Sequence, residues 1–314
     1  TSRDDQTLKA EAAARGIPVR PSLFTFSKWL NHQLLTEPTA TRLVENVVRY
    51  VEAEGYSGFD LDLEDVAPAD RDAYGSLVAR LADRLHSSGR LLTLAVPPKE
   101  REEPGGFAAA YDYARLGEQA DQILLMTYEY AGAWSGPGPV APYGPVERAM
   151  AYAASLVPAE KLNLGLAFYG YDWNLSRPGR VRALGFPEAL AIADRYRPAI
   201  ELDPLARSIT WRHSARAGDP APEGPAGPRL RNRITLRNAP RCDLPFPPGP
   251  TAVPTPPPPP PDTVEEHVVW LEEALAAEAR LSIARQLGSG VGAWRLGQED
   301  PDVWPIIRSW RAGS

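Results

Sequence analysis

The chain has 314 residues, 43% of them apolar and 24% charged, with a formal net charge of -6. That length can bury a full core, the acidic balance offers no basic field for nucleic acid, and no apolar run is long enough to span a membrane. Cys242 is the only cysteine, which excludes an intrachain disulfide, and His32, His86, His213 and His267 lie far apart without ligand spacing, so neither a metal nor another cofactor is expected.

The opening Thr1-Ser2-Arg3-Asp4-Asp5 does not read as a signal peptide, and the missing initiator Met predicts that residues precede Thr1. Ile17–Phe26 reads as a strand broken at Pro21. Thr39–Glu54 is expected to be a helix, with Leu43, Val47, Val48 and Val51 at helical spacing and Gly55 as its stop.

Gly58–Leu63 follows as a strand, and Glu64 stands at its C-terminal end. Alternate residues of a strand share a face, so Asp60, Asp62 and Glu64 point one way while Phe59, Leu61 and Leu63 point the other. Carboxylates about 7 Å apart along one face raise one another's proton affinity. A glutamic acid that keeps its proton near neutral pH is what a general acid needs. The competing reading is an edge strand with a wet acidic face, which the wholly apolar opposite face disfavours.

Downstream, Asp70–Ser88 is expected to be helical, Leu91–Val96 a strand, Phe107–Gln119 a helix and Gln122–Tyr128 a strand. Pro145–Leu156 then reads as a helix, Leu162–Tyr169 as a strand and Pro187–Arg195 as a helix. Val264–Leu287 reads as one long helix, and Val291–Leu296 as the last strand. Short strands, apolar on both faces and alternating with helices, predict an α/β fold with a parallel sheet, a (β/α)8 barrel with its catalytic groups at strand C-terminal ends. Ala215–Asp262 breaks this rhythm. It is rich in Pro, Gly and Arg and includes Pro256–Pro261, so it reads as a proline-rich insert, a surface excursion before the last helix and strand. A docking ligand for a proline-reading module and an interdomain linker are the alternatives.

Gly58-Phe59-Asp60-Leu61-Asp62-Leu63-Glu64 resembles the DGxDxDxE signature of family 18 glycoside hydrolases, the chitinase-like enzymes. Leu125-Met126-Thr127-Tyr128, Leu164–Gly170 and Gly292-Ala293-Trp294 resemble three further strands of that family, in its order. Asp65–Arg71, Ala95–Lys99, Tyr169–Trp173 and Trp294–Gly297 are similar to a spore-peptidoglycan branch, the N-acetylglucosaminidases of the YaaH and SleL type. Ser57 and Glu129 each replace an Asp of the family pattern, and no LysM wall-binding repeat is seen.

The resemblance implies one catalytic barrel over residues 1–314, lacking its first two strands in this chain, with six recognisable strands and the insert at 215–262. It implies substrate-assisted, retaining cleavage of β-1,4 bonds in N-acetylglucosamine-containing glycans, by a monomer outside the cytoplasm. Glu64 would be the acid and base, Asp62 would orient the substrate acetamide, Asp60 would tune Asp62, and Tyr128 would bond the acetamide oxygen. Trp294 would stack beneath the sugar; Met126, Glu129, Tyr169 and Trp173 would line the cleft, and Trp134 would serve an outer subsite. Tyr128 as a core residue and Trp294 as barrel filling are the competing readings. A chitinase acting on chitin oligomers, a non-catalytic carbohydrate-binding protein and a structural coat protein are the other functions weighed. Such lectins usually lack the acid, and Glu64 is intact.

Overall fold

The computed structural model describes residues 3–219, 260 and 263–313. A first helix, α1 (Arg3–Ala14), leads into strand β1 (Ser22–Thr25), helices α2 (Lys28–Leu35) and α3 (Thr39–Glu54), and strand β2 (Gly58–Leu63). Val44, Val47, Val48 and Val51 form the buried stripe of α3, and Gly55 ends it at φ 69°, a left-handed turn that suits glycine. Next come α4 (Arg71–His86), β3 (Leu91–Val96), α5 (Tyr113–Gln119), β4 (Gln122–Leu125), α6 (Tyr143–Ala154) and β5 (Leu162–Ala167).

Strands β1 to β5 pair in parallel and in chain order. Strand β11 (Gly290–Trp294) joins them beside β5, completing the order β1-β2-β3-β4-β5-β11. The helix-facing side of this sheet and the helix stripes share one large core, from Val44 and Leu61 through Leu94 and Ile123 to Leu164 and Ile283. Its architecture is a parallel, TIM-like α/β fold. Among the described residues no strand bridges the outer edges of β1 and β11. No described helix is long and apolar enough to cross a membrane.

The chain between β5 and β11 departs most from the sequence reading. It forms a second sheet, antiparallel throughout, with order β7-β6-β10-β9-β8. Its strands are β6 (Tyr169–Asn174), β7 (Val181–Gly185), β8 (Glu201–Asp203), β9 (Ser208–Arg216) and β10 (Val264–Leu271). Helix α7 (Phe186–Tyr196) covers one face, where Ala189 and Ile192 meet Leu184, Trp211, Val269 and Leu271.

Four expectations are corrected here. Val264–Leu287 is not one helix: Val264–Leu271 is β10, paired with β6 and β9, and only Ala274–Leu287 is helical, as α8. Glu273 caps that helix by accepting from the N–H groups of Leu275 and Ala276. The strand expected to run to Tyr169 ends at Ala167, and Tyr169 opens β6 in the other sheet. The helix expected from Phe107 starts at Tyr113, where Asp112 accepts from Arg115 N–H. The expected insert at 215–262 begins too early, because Ala215 and Arg216 pair with Glu265 and Val264. Residues 220–259 of that insert lie outside the described residues. The chain closes with α9 (Val303–Ala312), packed on α8.

Arg280 of α8 fastens the two sheets together. It is 2% exposed and pairs with Glu272, 4% exposed, at 3.0 Å. Its guanidinium also donates to the carbonyls of Ala206 and Arg207 and the Ser208 hydroxyl, beside the second sheet. A further donor reaches the Ala141 carbonyl ahead of α6. Glu272 in turn accepts from Ala141 N–H and Ser208 Oγ.

Candidate active site

The C-terminal ends of β1, β2, β3, β4 and β11 open onto one cleft of about 910 Å³. Asp62, Glu64, Met126, Tyr128, Glu129, Trp134 and Trp294 of the expected site all line it. Phe24, Phe26 and Phe107 add apolar walls, and Ser22, Pro97, Pro98 and Tyr130 complete it. Phe24 and Phe26 are 58% and 59% exposed, and Trp134 and Trp294 are 63% and 52% exposed. Exposed aromatic faces grouped around carboxylates suit the apolar faces of sugar rings.

The strand end that carries Glu64 is fixed from several sides. Glu64 N–H donates to Thr25 O of β1 at 2.8 Å, and the fully buried Asn31 donates its amide to Glu64 O. The Tyr111 hydroxyl donates to Leu63 O at 2.7 Å. Asp65 then turns the chain at φ 55°, as Glu129 does at φ 61° after Tyr128. Two non-glycine residues in the left-handed region, each next to a site residue, mark places where packing overrides local preference. Gly165 of β5 has a similar cause, since a Cβ there would sit 2.8 Å from the Tyr128 ring and 2.5 Å from Leu125 O.

The acidic face is graded from the strand interior to its mouth. Asp60 does not line the cleft; Ser22 Oγ donates to it at 2.7 Å and Thr93 Oγ1 at 2.6 Å. Asp62 keeps one buried oxygen without a partner among the described residues. Burial first, then the charges of Glu64 and Asp60, push the Asp62 carboxyl up to about 7. Burial and the neighbouring Glu129 push Glu64 up to about 7 as well. Burial, with Asp62, Glu64 and Glu129 close by, pushes the Tyr128 phenol upward, so it remains a proton donor.

Two expected lining residues stand elsewhere. Tyr169 is buried, its ring 6.3 Å from that of Tyr128, and its hydroxyl donates to Glu129 at 3.2 Å. Tyr171, which the sequence reading missed, donates to the same oxygen at 3.1 Å. Trp173 does not line the cleft. It is 3% exposed, packed in a cluster with Ala131 and Val140, and donates Nε1 to Gly132 O at 3.3 Å. It shares a face of β6 with Tyr169 and Tyr171, and that face is covered by the loop that presents Trp134.

These raised carboxyls predict a pH-dependent stability. A carboxyl held protonated to about 7 when folded, against 3.8 for Asp62 and 4.5 for Glu64 otherwise, binds its proton more tightly in the folded state. Its favourable contribution is complete below the unfolded value and is lost as pH rises through about 7. Asp62→Asn is therefore expected to be more stable than the parent at pH 8 by about 1–3 kcal/mol, discounted for water in the cleft, with the difference vanishing near pH 4. Urea unfolding at both pH values measures it; an equal difference at both would contradict the assignment.

Residues 24–212 match the family described as Glycosyl hydrolases family 18. The chain belongs to that family. Family 18 enzymes are glycosidases, and Asp62 and Glu64 fall within the matched residues. The cortical fragment-lytic enzyme of Bacillus subtilis (strain 168) is 28% identical over 292 residues, covering 90% of this chain and 56% of that protein. The Bacillus megaterium QM B1551 spore cortex-lytic enzyme SleL superposes with a TM-score of 0.75 at 25% identity, over 96% of this chain and 61% of that one. A chitinase from Chromobacterium violaceum ATCC 12472 gives a TM-score of 0.76 at 26% identity, over 96% and 83%. The family 18 chain spans about half the length of the curated relatives it matches.

Proposed function

We propose that this chain hydrolyses β-1,4 glycosidic bonds of N-acetylglucosamine-containing glycans, fragments of the spore cortex foremost, with retention of configuration and outside the cytoplasm. The observation that carries this reading is the pair Asp62 and Glu64, both with proton affinity raised to about 7, at the floor of an aromatic cleft. The two stand beside each other on one strand face and cannot flank a bond from opposite sides. Asp60 is occupied by Ser22 and Thr93, and Glu129 by the hydroxyls of Tyr169 and Tyr171. With no carboxylate left free beside the pair among the described residues that line the cleft, the substrate's own acetamide oxygen takes that part.

In this mechanism Glu64 gives its proton to the leaving glycosidic oxygen as the C1–O bond breaks. The acetamide carbonyl oxygen closes on C1, forming a cyclic oxazolinium. Asp62 orients the acetamide N–H and balances the positive charge, and the Tyr128 hydroxyl donates to the acetamide oxygen. Glu64, now ionised, takes a proton from water, whose oxygen attacks C1 and reopens the ring. Trp294 stacks under the sugar, and Trp134 serves a sugar farther along the cleft. We read the six parallel strands as part of an eight-stranded barrel, with the two remaining strands lying between the free edges of β1 and β11, and residues 1–314 as one catalytic unit.

Chitin oligomers are the second substrate, favoured by the likeness to the Chromobacterium chitinase. Proton NMR of the reducing end formed during cleavage tests the stereochemistry on either glycan. The β-anomer is expected first, relaxing later to the equilibrium mixture; the α-anomer first would refute substrate assistance.

A further inference from the structure

A second cluster lies on the far face of the antiparallel sheet, away from the cleft. Strand β6 alternates: Tyr169, Tyr171 and Trp173 face the loop after β4, while Asp172 points to the α7 side. On that side His213 of β9 and His267 of β10 are directly opposed in register. Their rings stack with centroids 4.9 Å apart and 25° between planes. Tyr196, the last residue of α7, stacks on the other side of His213 at 4.8 Å. Asp172 Oδ1 lies 2.9 Å from His267 Nδ1. One ligand atom from each of Asp172, His213 and His267 falls within 4.8 Å of the others.

His213 is 7% exposed, and among the described residues its Nδ1 has no hydrogen-bond partner. A buried ring nitrogen without a partner costs free energy unless something supplies one. An imidazole nitrogen without a hydrogen-bond partner can offer its lone pair to a cation. Asp172, also 7% exposed, brings a negative charge to the same point.

We propose that Asp172, His213 and His267 form a binding site for a divalent first-row transition cation of the zinc, cobalt, nickel or copper type. Two imidazoles and one carboxylate are the donor set such cations prefer, and magnesium or calcium would require mostly oxygen donors. Bonds of about 2.0–2.2 Å to a shared ion require the stacked imidazoles to turn until their lone pairs converge. The sequence spacing of the histidines argued against a metal, because the two rings come together only through pairing of β9 with β10 across the long intervening segment. The ion would clasp β6, β9 and β10. The opposite face of β6 carries the tyrosines that hold Glu129, so the clasp would stiffen one wall of the cleft.

The test uses the untagged chain, stripped with a chelator and titrated with Co²⁺. One Co²⁺ per chain with visible d–d absorption is expected, and Zn²⁺ should displace it and raise the thermal midpoint with its concentration. The His213→Ala/His267→Ala variant should lose both effects, and Asp172→Asn should weaken binding about 10–100-fold. The remaining two histidines pair with Asp70 and Asp121 elsewhere in the fold, so His32→Ala/His86→Ala leaves the small sheet intact and should bind as the parent does. Absence of saturable binding by the parent chain, or its loss in His32→Ala/His86→Ala, overturns the proposal. So does undiminished binding by His213→Ala/His267→Ala.

Discussion

Glu64→Gln is expected to lower turnover on an N-acetylglucosamine glycan by about 10²–10⁴-fold, the range a positioned general acid contributes. The amide keeps the size of the side chain but has no proton to give the leaving oxygen. The bonds that the Glu64 backbone gives to Thr25 O and accepts from the Asn31 amide hold the strand end whatever the side chain is, so the fold should persist. Removing a carboxyl whose proton affinity burial and Glu129 have raised should, if anything, stabilise the chain above pH 7. Near-parental turnover with an unchanged unfolding curve would remove Glu64 from the mechanism.

Arg280→Ala is expected to cost about 3–5 kcal/mol of stability, measured by urea unfolding at neutral pH. The loss has two origins. Glu272 would be left buried and unpaired, and the carbonyls of Ala141, Ala206 and Arg207 would each lose a charged donor. Burial pushes the Glu272 carboxyl up and the Arg280 guanidinium down, and the charge of each opposes the shift of the other. The paired replacement Arg280→Met with Glu272→Leu should recover much of the loss, because no isolated charge remains. A cost below about 1 kcal/mol for Arg280→Ala would mean that the two sheets are joined by other contacts.

The site was legible in the sequence where one strand carried it. Asp60, Asp62 and Glu64 share a face by period two, and the apolar partners Phe59, Leu61 and Leu63 are all buried as that period requires. Helices α3 and α4 were legible for a similar reason: their stripes recur every three or four residues, and each packs on the parallel sheet. The grading along the acidic face was not legible. It depends on Ser22 and Thr93, which reach Asp60 from two other strands. Phe24 and Phe26 sit in the expected first strand, but the cleft position of Phe24 follows from the register that sets it beside Asp62, which no pattern within the segment reveals.

The antiparallel sheet was missed because its strands find partners far away in the chain. Val264–Leu271 stands just before an alanine-rich helix, separated from it only by Glu272 and Glu273, and its apolar residues fit a helical stripe as readily as a strand. Only the pairing with β6 and β9 decides between them. Trp173 shows the same limit in miniature. It was expected to line the cleft, and the loop that covers its face of β6 could not be foreseen from the sequence.

In the proposed mechanism the substrate supplies its own nucleophile, because Asp62 lies beside Glu64 while Asp60 and Glu129 are engaged. Cleavage rates on β-1,4 oligomers of N-acetylglucosamine, of glucosamine and of glucose, compared at equal length and saturating concentration, test it most directly. The account predicts turnover of the N-acetylated oligomer and none detectable on the other two, since neither carries an acetamide oxygen to close on C1. Equal rates on all three would contradict it.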